Sequence, residues 1–253
     1  MFYTTAVHSP THAEFCERVF GRNLCQHGFA DMLQVEALIE VLQLQPGLRV
    51  LEIGCGNGMI TEYISDSTGA HLTGLDYMPQ AVSQAQERTA FKADRLSFTV
   101  GNINDLQLSK HSFDAAISID SIYFSNDFTR TIRQLIEAVR PDGSLIFLYS
   151  HGREPWVSRE DFPAESILPE RTPLAAALRA NGLCFHTRDF SRDDYRIAQL
   201  RLQVLPELRS RFEADGILSV YENRMGDARG MSQAYEDGLH ARYLYHSHLP
   251  AKD

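Results

Sequence analysis

Residues 50–61, VLEIGCGNGMIT, constrain the chain more than any other stretch. An apolar run from Val50 to Ile53 enters three glycines on alternate positions, Gly54, Gly56 and Gly58, and a helical pattern opens at Met59. Glycines in such a turn let a ligand lie against the backbone, because no Cβ stands in the way. A dinucleotide fingerprint has the order GxGxxG; here the order is GxGxG, with Met59 in the place of the last glycine. The lysine and hydroxyl residue that close a phosphate-binding P-loop are absent. Glu52 narrows the ligand further, because a carboxylate beside the turn repels a pyrophosphate and suits a ligand with an ammonium group and no phosphate.

The rest of the chain sets that turn in an alternating pattern. Strands are predicted at 49–53, 71–76, 96–100, 113–119 and 144–149, with further strands at 183–190 and 241–246. Helices are predicted at 59–67, 79–91, 128–139 and 173–180, the second opened by Pro79 and the last closed by Asn181-Gly182. Such alternation implies right-handed crossovers and a mainly parallel sheet with helices on both faces. Two helical stripes between residues 12 and 44 flank the loop GRNLCQHGF. Residues 192–239 break the rhythm with leucines, tyrosines and many charges in helical spacing. The expected organisation is a helical cap at 1–45, an α/β core at 46–191, a helical lid inserted at 192–239, and the final core strand and tail at 240–253. Helices of this kind would cover the carboxyl end of the sheet, where open α/β sheets bind ligands.

The formal net charge is −9, which repels a polyanion, so no nucleic-acid partner is expected. No run reaches the length of about 20 apolar residues that a membrane span needs, and the opening MFYTTAVHSPTHAEF has no signal-peptide pattern. Cys16, Cys25, Cys55 and Cys184 form no CxxC pair, so free thiols in a reducing, cytoplasmic setting are expected. His246 and His248 lack a third ligand at metal spacing, and no metal site is expected.

The second predicted strand ends in Asp76, 22 residues past Gly54, where a carboxylate can accept hydrogen bonds from ribose hydroxyls. Together with Glu52 and the GxGxG order, this suits S-adenosyl-L-methionine. The motifs VLEIGCGNG, LTGLDYMPQAV, FTVGNINDL, FDAAISIDSIYF and RPDGSLIFLY occur in the order and spacing of the class I S-adenosylmethionine-dependent methyltransferases, which residues 46–150 resemble. The resemblance implies a Rossmann-like, seven-stranded, mostly parallel sheet whose last strand, ARYLYH, runs antiparallel. It also implies that Gly54, Cys55, Gly56 and Gly58 line the cofactor and that Glu52 lies near its ammonium. Asp76 would hold the ribose, Tyr77 and Met78 would pack by the adenine, and Asn102 and Ile103 would meet its edge. Asp120 would stand beside the sulfonium and the acceptor.

Methyl transfer from a sulfonium is an in-line displacement, and proximity alone lowers such a barrier by roughly 7–11 kcal/mol. A base is required only for an acceptor that arrives protonated. The N-terminal part is similar to small-amine N-methyltransferases, which often place an Asp at the end of the fourth strand and a His four residues on. Here Asp120 is followed by Phe124 at that position, leaving Tyr123 and His27 as polar partners. The expected activity is methylation of a small-molecule acceptor, an amine among the candidates, oriented by Asp120 and Tyr123. A cofactor-binding protein of the same fold with no methylating activity, and a macromolecule methyltransferase, are the alternatives. The charged segment with Arg196, Arg201, Arg209 and Arg211 reads as a solvated face, or as the source of one arginine turned inward to a substrate anion. The acceptor atom (N, O, C or S), the need for a base and the oligomeric state are not encoded in any pattern found.

Overall fold

Short apolar strands alternating with amphipathic helices build one central sheet. The structure is a computed structural model that describes residues 5–154 and 156–251. Residues 1–4 of the expected cap and 252–253 of the expected tail lie outside the described residues. The strands are β1 (Arg49–Ile53), β2 (His71–Asp76), β3 (Leu96–Val100), β4 (Phe113–Ile119), β5 (Val139–Gly152), β6 (His186–Asp189) and β7 (His240–His248). Their order across the sheet is β3-β2-β1-β4-β5-β7-β6. Strands β1 to β5 run parallel, and β7 runs antiparallel to both β5 and β6. This is the Rossmann-like, mostly parallel sheet with an antiparallel last strand that the sequence led us to expect.

The helices are α1 (Pro10–Phe20), α2 (Met32–Leu42), α3 (Met59–Thr68), α4 (Pro79–Arg88), α5 (Phe128–Ala138), α6 (Pro173–Ala180), α7 (Ser191–Ala214) and α8 (Leu218–Glu236). Period-two alternation splits β1 between two cores. Leu51 and Ile53 join Ile132 and Leu135 of α5 and Leu174 and Leu178 of α6. Val50 joins Val35 and Leu38 of α2, Ile64 of α3 and Val82 of α4 on the other face. A third apolar cluster packs α1 (Phe15, Val19, Phe20) against α7 and α8 (Leu205, Leu208, Phe212, Val220), away from the sheet. The leucines of the charged segment are spent there.

Among the boundaries that differ from the sequence reading, those of two strands have local reasons. Strand β5 begins at Val139 rather than Ser144 and carries Asp142 at φ +64° beside a register shift against β4. The sixth strand shrinks to His186–Asp189, an exposed edge that pairs only with β7. Apolar alternation says little about an edge strand of this kind, because neither of its faces is buried.

The turn after β1 sits over the carboxyl end of the sheet. Gly54 has φ +72°, and its N–H and that of Cys55 donate to the Leu75 carbonyl at 2.7 and 3.1 Å. A methyl group on Gly54 would collide with the side chain of Ser121, whose Oγ donates to the Ile53 carbonyl at 2.5 Å. Gly54→Ala therefore combines a left-handed backbone with a clash. We expect it to cost about 2–4 kcal/mol and to lower Tm by roughly 5–10 °C in a thermal melt.

Candidate active site

A cavity of about 600 Å³ opens at the carboxyl ends of β1, β2 and β4. Its floor is the β1–α3 turn with Gly54, Cys55, Gly56 and Asn57. One wall carries Asp76, Tyr77 and Met78 after β2, with Asn102 and Ile103 after β3; the other carries Asp120 and Ser121 after β4. The roof is the loop Leu24–Gly28 with Ala30, between α1 and α2.

Glu52 is the unusual group on the floor. It is 2% exposed and sits near the end of β1, its Oε2 accepting from Thr61 Oγ1 of α3 at 2.5 Å. Among the described residues, no lysine, arginine or histidine forms an ion pair with it. Burial, with a smaller push from the nearby Asp76 and against the pull of the Thr61 hydrogen bond, raises its pKa to about 7. A buried carboxylate facing a cavity without a cation is a costly arrangement unless a cation arrives from outside the chain.

Asp76 is held by backbone. Its Oδ2 accepts from Gly56 N–H at 2.7 Å and its Oδ1 from Met78 N–H at 2.9 Å. This ties the glycine turn to the end of β2 and leaves carboxylate lone pairs toward the cavity. Tyr77, Met78 and Phe124 are exposed apolar side chains on the rim, grouped around one opening. Asn102 Oδ1 accepts from Asn104 N–H at 2.9 Å, closing a turn whose Ile103 side chain is buried beneath the cavity wall.

Asp120 ends β4 with φ +50°, and its carboxylate is filled. Arg242 of β7 grips it in bidentate fashion, Nη1 to Oδ1 at 2.6 Å and Nη2 to Oδ2 at 3.0 Å. Phe29 N–H and Ala30 N–H donate to Oδ2 at 2.7 and 3.1 Å, and the Tyr123 hydroxyl approaches Oδ1 at 3.5 Å. Burial raises its pKa, but the Arg242 charge and these donors overcome that and hold it below the usual carboxylate range. Gly28 lies so close to this carboxylate that a Cβ there would strike it.

The roof loop is also held from behind. Arg201 of α7 donates from Nη2 to Gly28 O at 2.8 Å, with its guanidinium 3.7 Å from the centre of the Phe29 ring. Arg224 of α8 donates from Nη2 to Gln26 O at 2.7 Å and from Nη1 to His27 O. Both arginines are fully buried. Helices α7 and α8 thus contribute no described residue to the cavity lining; they fix the loop that does line it.

Ten of the residues expected from the sequence line this cavity: Glu52, Gly54, Cys55, Gly56, Asp76, Tyr77, Met78, Asn102, Ile103 and Asp120. Gly58 lies beneath the turn, capping α3 with φ +72° and packing against Phe98. Tyr123 is not among the lining residues; its hydroxyl accepts from Ser150 N–H at 2.6 Å and its ring is stacked on Tyr149. Sequence reasoning missed the roof residues Leu24, Cys25 and Gln26. Their one signal was the glycine-bounded loop GRNLCQHGF. It also missed Arg242, an arginine inside an apolar strand, and that oddity was the available clue.

Two charge substitutions test these placements in the protein without ligand. The raised folded-state pKa of Glu52 means that its contribution to stability is fully present below about pH 4.5 and lost as pH rises through about 7. Denaturant melts of Glu52→Gln against the parent should show the variant gaining on the order of 2–3 kcal/mol relative to the parent between those pH values. Arg242 is also close to the buried Asp194, at 3.7 Å. Arg242→Met strands both carboxylates and should cost about 3–5 kcal/mol in the same assay.

Known proteins share sequence and fold with this chain. Residues 50–143 match the family described as a methyltransferase domain. A phosphoethanolamine N-methyltransferase 1 of Triticum aestivum is 27% identical over 148 residues, which cover 58% of this chain and 29% of the relative. A 27-O-demethylrifamycin SV methyltransferase of Amycolatopsis mediterranei is 30% identical over 146 residues, 53% of each chain. Among solved structures, a Haemonchus contortus phosphoethanolamine N-methyltransferase 2 in complex with phosphomonomethylethanolamine and S-adenosylhomocysteine aligns with a TM-score of 0.75 at 18% identity. The alignment covers 95% of this chain and 57% of that one. The chain therefore spans under a third of the wheat relative and about half of the other. Residues 50–143 thus match a methyltransferase-domain family, and the chain shares its fold with solved methyltransferase structures.

Proposed function

We propose that this chain transfers a methyl group from S-adenosyl-L-methionine to a small-molecule acceptor. The observation that carries this reading is Glu52, a buried carboxylate at the cavity floor with no cation of its own among the described residues. An amino-acid ammonium supplies the missing charge. Asp76 stands on the adjacent wall to receive ribose hydroxyls, and the exposed Tyr77 and Met78 offer a face for an adenine, with Ile103 beneath. The bare backbone at Gly54 and Gly56 gives room for the methionyl chain, Cys55 lies between them, and Gly58 sets the helix that delivers Thr61. When bound, S-adenosylmethionine supplies a methyl group already activated on a sulfonium.

In this reading Asp120 and Tyr123 shape the acceptor end rather than exchange protons there. Asp120 anchors the roof loop, and Tyr123 fixes the backbone near the end of β5 through Ser150. A roofed cavity of this size suits a small acceptor better than a strand of nucleic acid or a folded protein, and the net charge of −9 points the same way. Among the described residues no helix is long and apolar enough to cross a membrane. All four cysteines are free, which fits a reducing, cytoplasmic setting.

Calorimetry tests the reading directly. S-adenosylmethionine and S-adenosylhomocysteine should both bind, and Glu52→Gln and Asp76→Asn should each weaken binding by about tenfold or more. Because Glu52 must shed its proton to pair with the ammonium, affinity should rise from pH 5.5 to about 7 in the parent and stay flat in Glu52→Gln. Incubation with cofactor and a metabolite extract should release S-adenosylhomocysteine. Binding without release would favour a non-methylating protein of this fold, and affinity for NAD alone would overturn the reading.

A further inference from the structure

Charge at the floor of the cavity is one-sided. Glu52, Asp76 and Asp120 line the cavity, and among the described residues no lysine or arginine does. Asp120 has Arg242 in contact, whereas Glu52 and Asp76 form no ion pair among the described residues. Arg88 is bonded to the glycine turn, donating to the Asn57 carbonyl at 2.8 Å, but it does not line the cavity and is paired with Glu62 at 2.7 Å. The Cys55 thiol on the floor samples the resulting field. Burial first, then Glu52 and Asp76, push its pKa up, and Arg88 opposes them only weakly.

A turn of this kind can receive an anion through its backbone N–H groups, but here they are committed. Gly54 N–H and Cys55 N–H both donate to Leu75 O, Gly56 N–H donates to Asp76 Oδ2, and Gly58 N–H donates to Cys55 O at 2.9 Å. In the first turn of α3, the Thr61 hydroxyl already faces Glu52. Asn57 Nδ2 is buried without a hydrogen-bond partner, yet one neutral amide cancels no charge.

We propose that this cavity recognises the amino end of its ligand by the ammonium alone and gives the α-carboxylate no partner, so that adenosyl thioethers and sulfoniums with an aminoalkyl tail and no carboxylate bind more tightly than their amino-acid counterparts. Under the proposed function, on which this specificity rests, an ammonium brought to Glu52 completes a buried pair. A carboxylate on the neighbouring carbon of the same ligand meets Glu52 as a like charge. It leaves water without gaining a cation, and the N–H groups of Gly54, Cys55, Gly56 and Gly58 are already engaged. Asp76 on the adjacent wall has the same sign. Removing the carboxylate from the ligand removes these costs and keeps the ammonium and the nucleoside. The favoured ligands are therefore cationic adenine nucleosides.

Calorimetry at about pH 8, where Glu52 is mostly ionised, tests this with three thioethers of adenosine. They are S-adenosylhomocysteine, the aminopropyl thioether (the same molecule without its carboxylate) and the methyl thioether, which carries neither charge. The aminopropyl thioether should bind the unaltered chain about threefold or more tighter than S-adenosylhomocysteine. Equal or weaker binding overturns the proposal and means that a donor such as Asn57 collects the carboxylate. Glu52→Gln removes the attraction for the ammonium from both ligands and the repulsion from S-adenosylhomocysteine alone, so the preference should shrink toward parity. An unchanged preference also overturns the proposal, because a purely structural role of Glu52 weakens both ligands alike. If Glu52→Gln binds neither ligand measurably, the preference in the unaltered chain decides. Equal affinity for the methyl and aminopropyl thioethers, or binding of none of the three, would instead remove the cofactor reading itself.

Discussion

The guanidinium of Arg242 holds together parts of the chain that are far apart in sequence. It lies fully buried on the last strand, gripping Asp120 at the end of β4 and reaching Gln34 Oε1 of α2 at 2.6 Å and Ser150 Oγ of β5 at 2.9 Å. Asp120 in turn takes two backbone N–H groups from the roof loop. An ion pair this deep gains little net stability, because desolvation offsets most of the attraction. Its effect is positional, since leaving either partner alone is far more costly than keeping both. The insertion of β7 between β5 and β6 thereby determines where the roof of the cavity lies.

The same roof loop shows how a charged insertion serves a buried site. Three consecutive carbonyls, those of Gln26, His27 and Gly28, are each bonded by a buried arginine of α7 or α8. A loop without secondary structure cannot satisfy its own carbonyls, so side chains must do so when it is covered. Phe20 and Phe29 flank Arg201, which lets the guanidinium sit among apolar groups without returning to water. The helices thus act on the cavity through backbone they hold.

Charge separates the two ends of the cavity. At the floor, Glu52 is a carboxylate without a cation among the described residues; at the roof, Asp120 is a carboxylate with its cation in contact. The residue type is acidic in both places, so electrostatic function comes from neighbours rather than from identity. Under the proposed function, this difference sets the direction of a ligand with an ammonium at one end and reacting chemistry at the other.

The sheet, its order of strands and helices, and the floor of the site were legible from the chain alone. Each depends on local periodicity and on residues within a few positions of a strand end: Glu52, Gly54 and Gly56 after β1, Asp76 to Met78 after β2. The roof, the neutralisation of Asp120 and the engagement of Tyr123 with Ser150 were decided only by the tertiary structure. Arg242 is 122 residues from Asp120, Arg201 is 173 from Gly28, and Arg224 is 198 from Gln26. Hydrophobic periodicity reports which face of an element is buried, but not which distant charge that face will meet. That pairing is set when the last strand enters the sheet and the inserted helices close on the N-terminal loop.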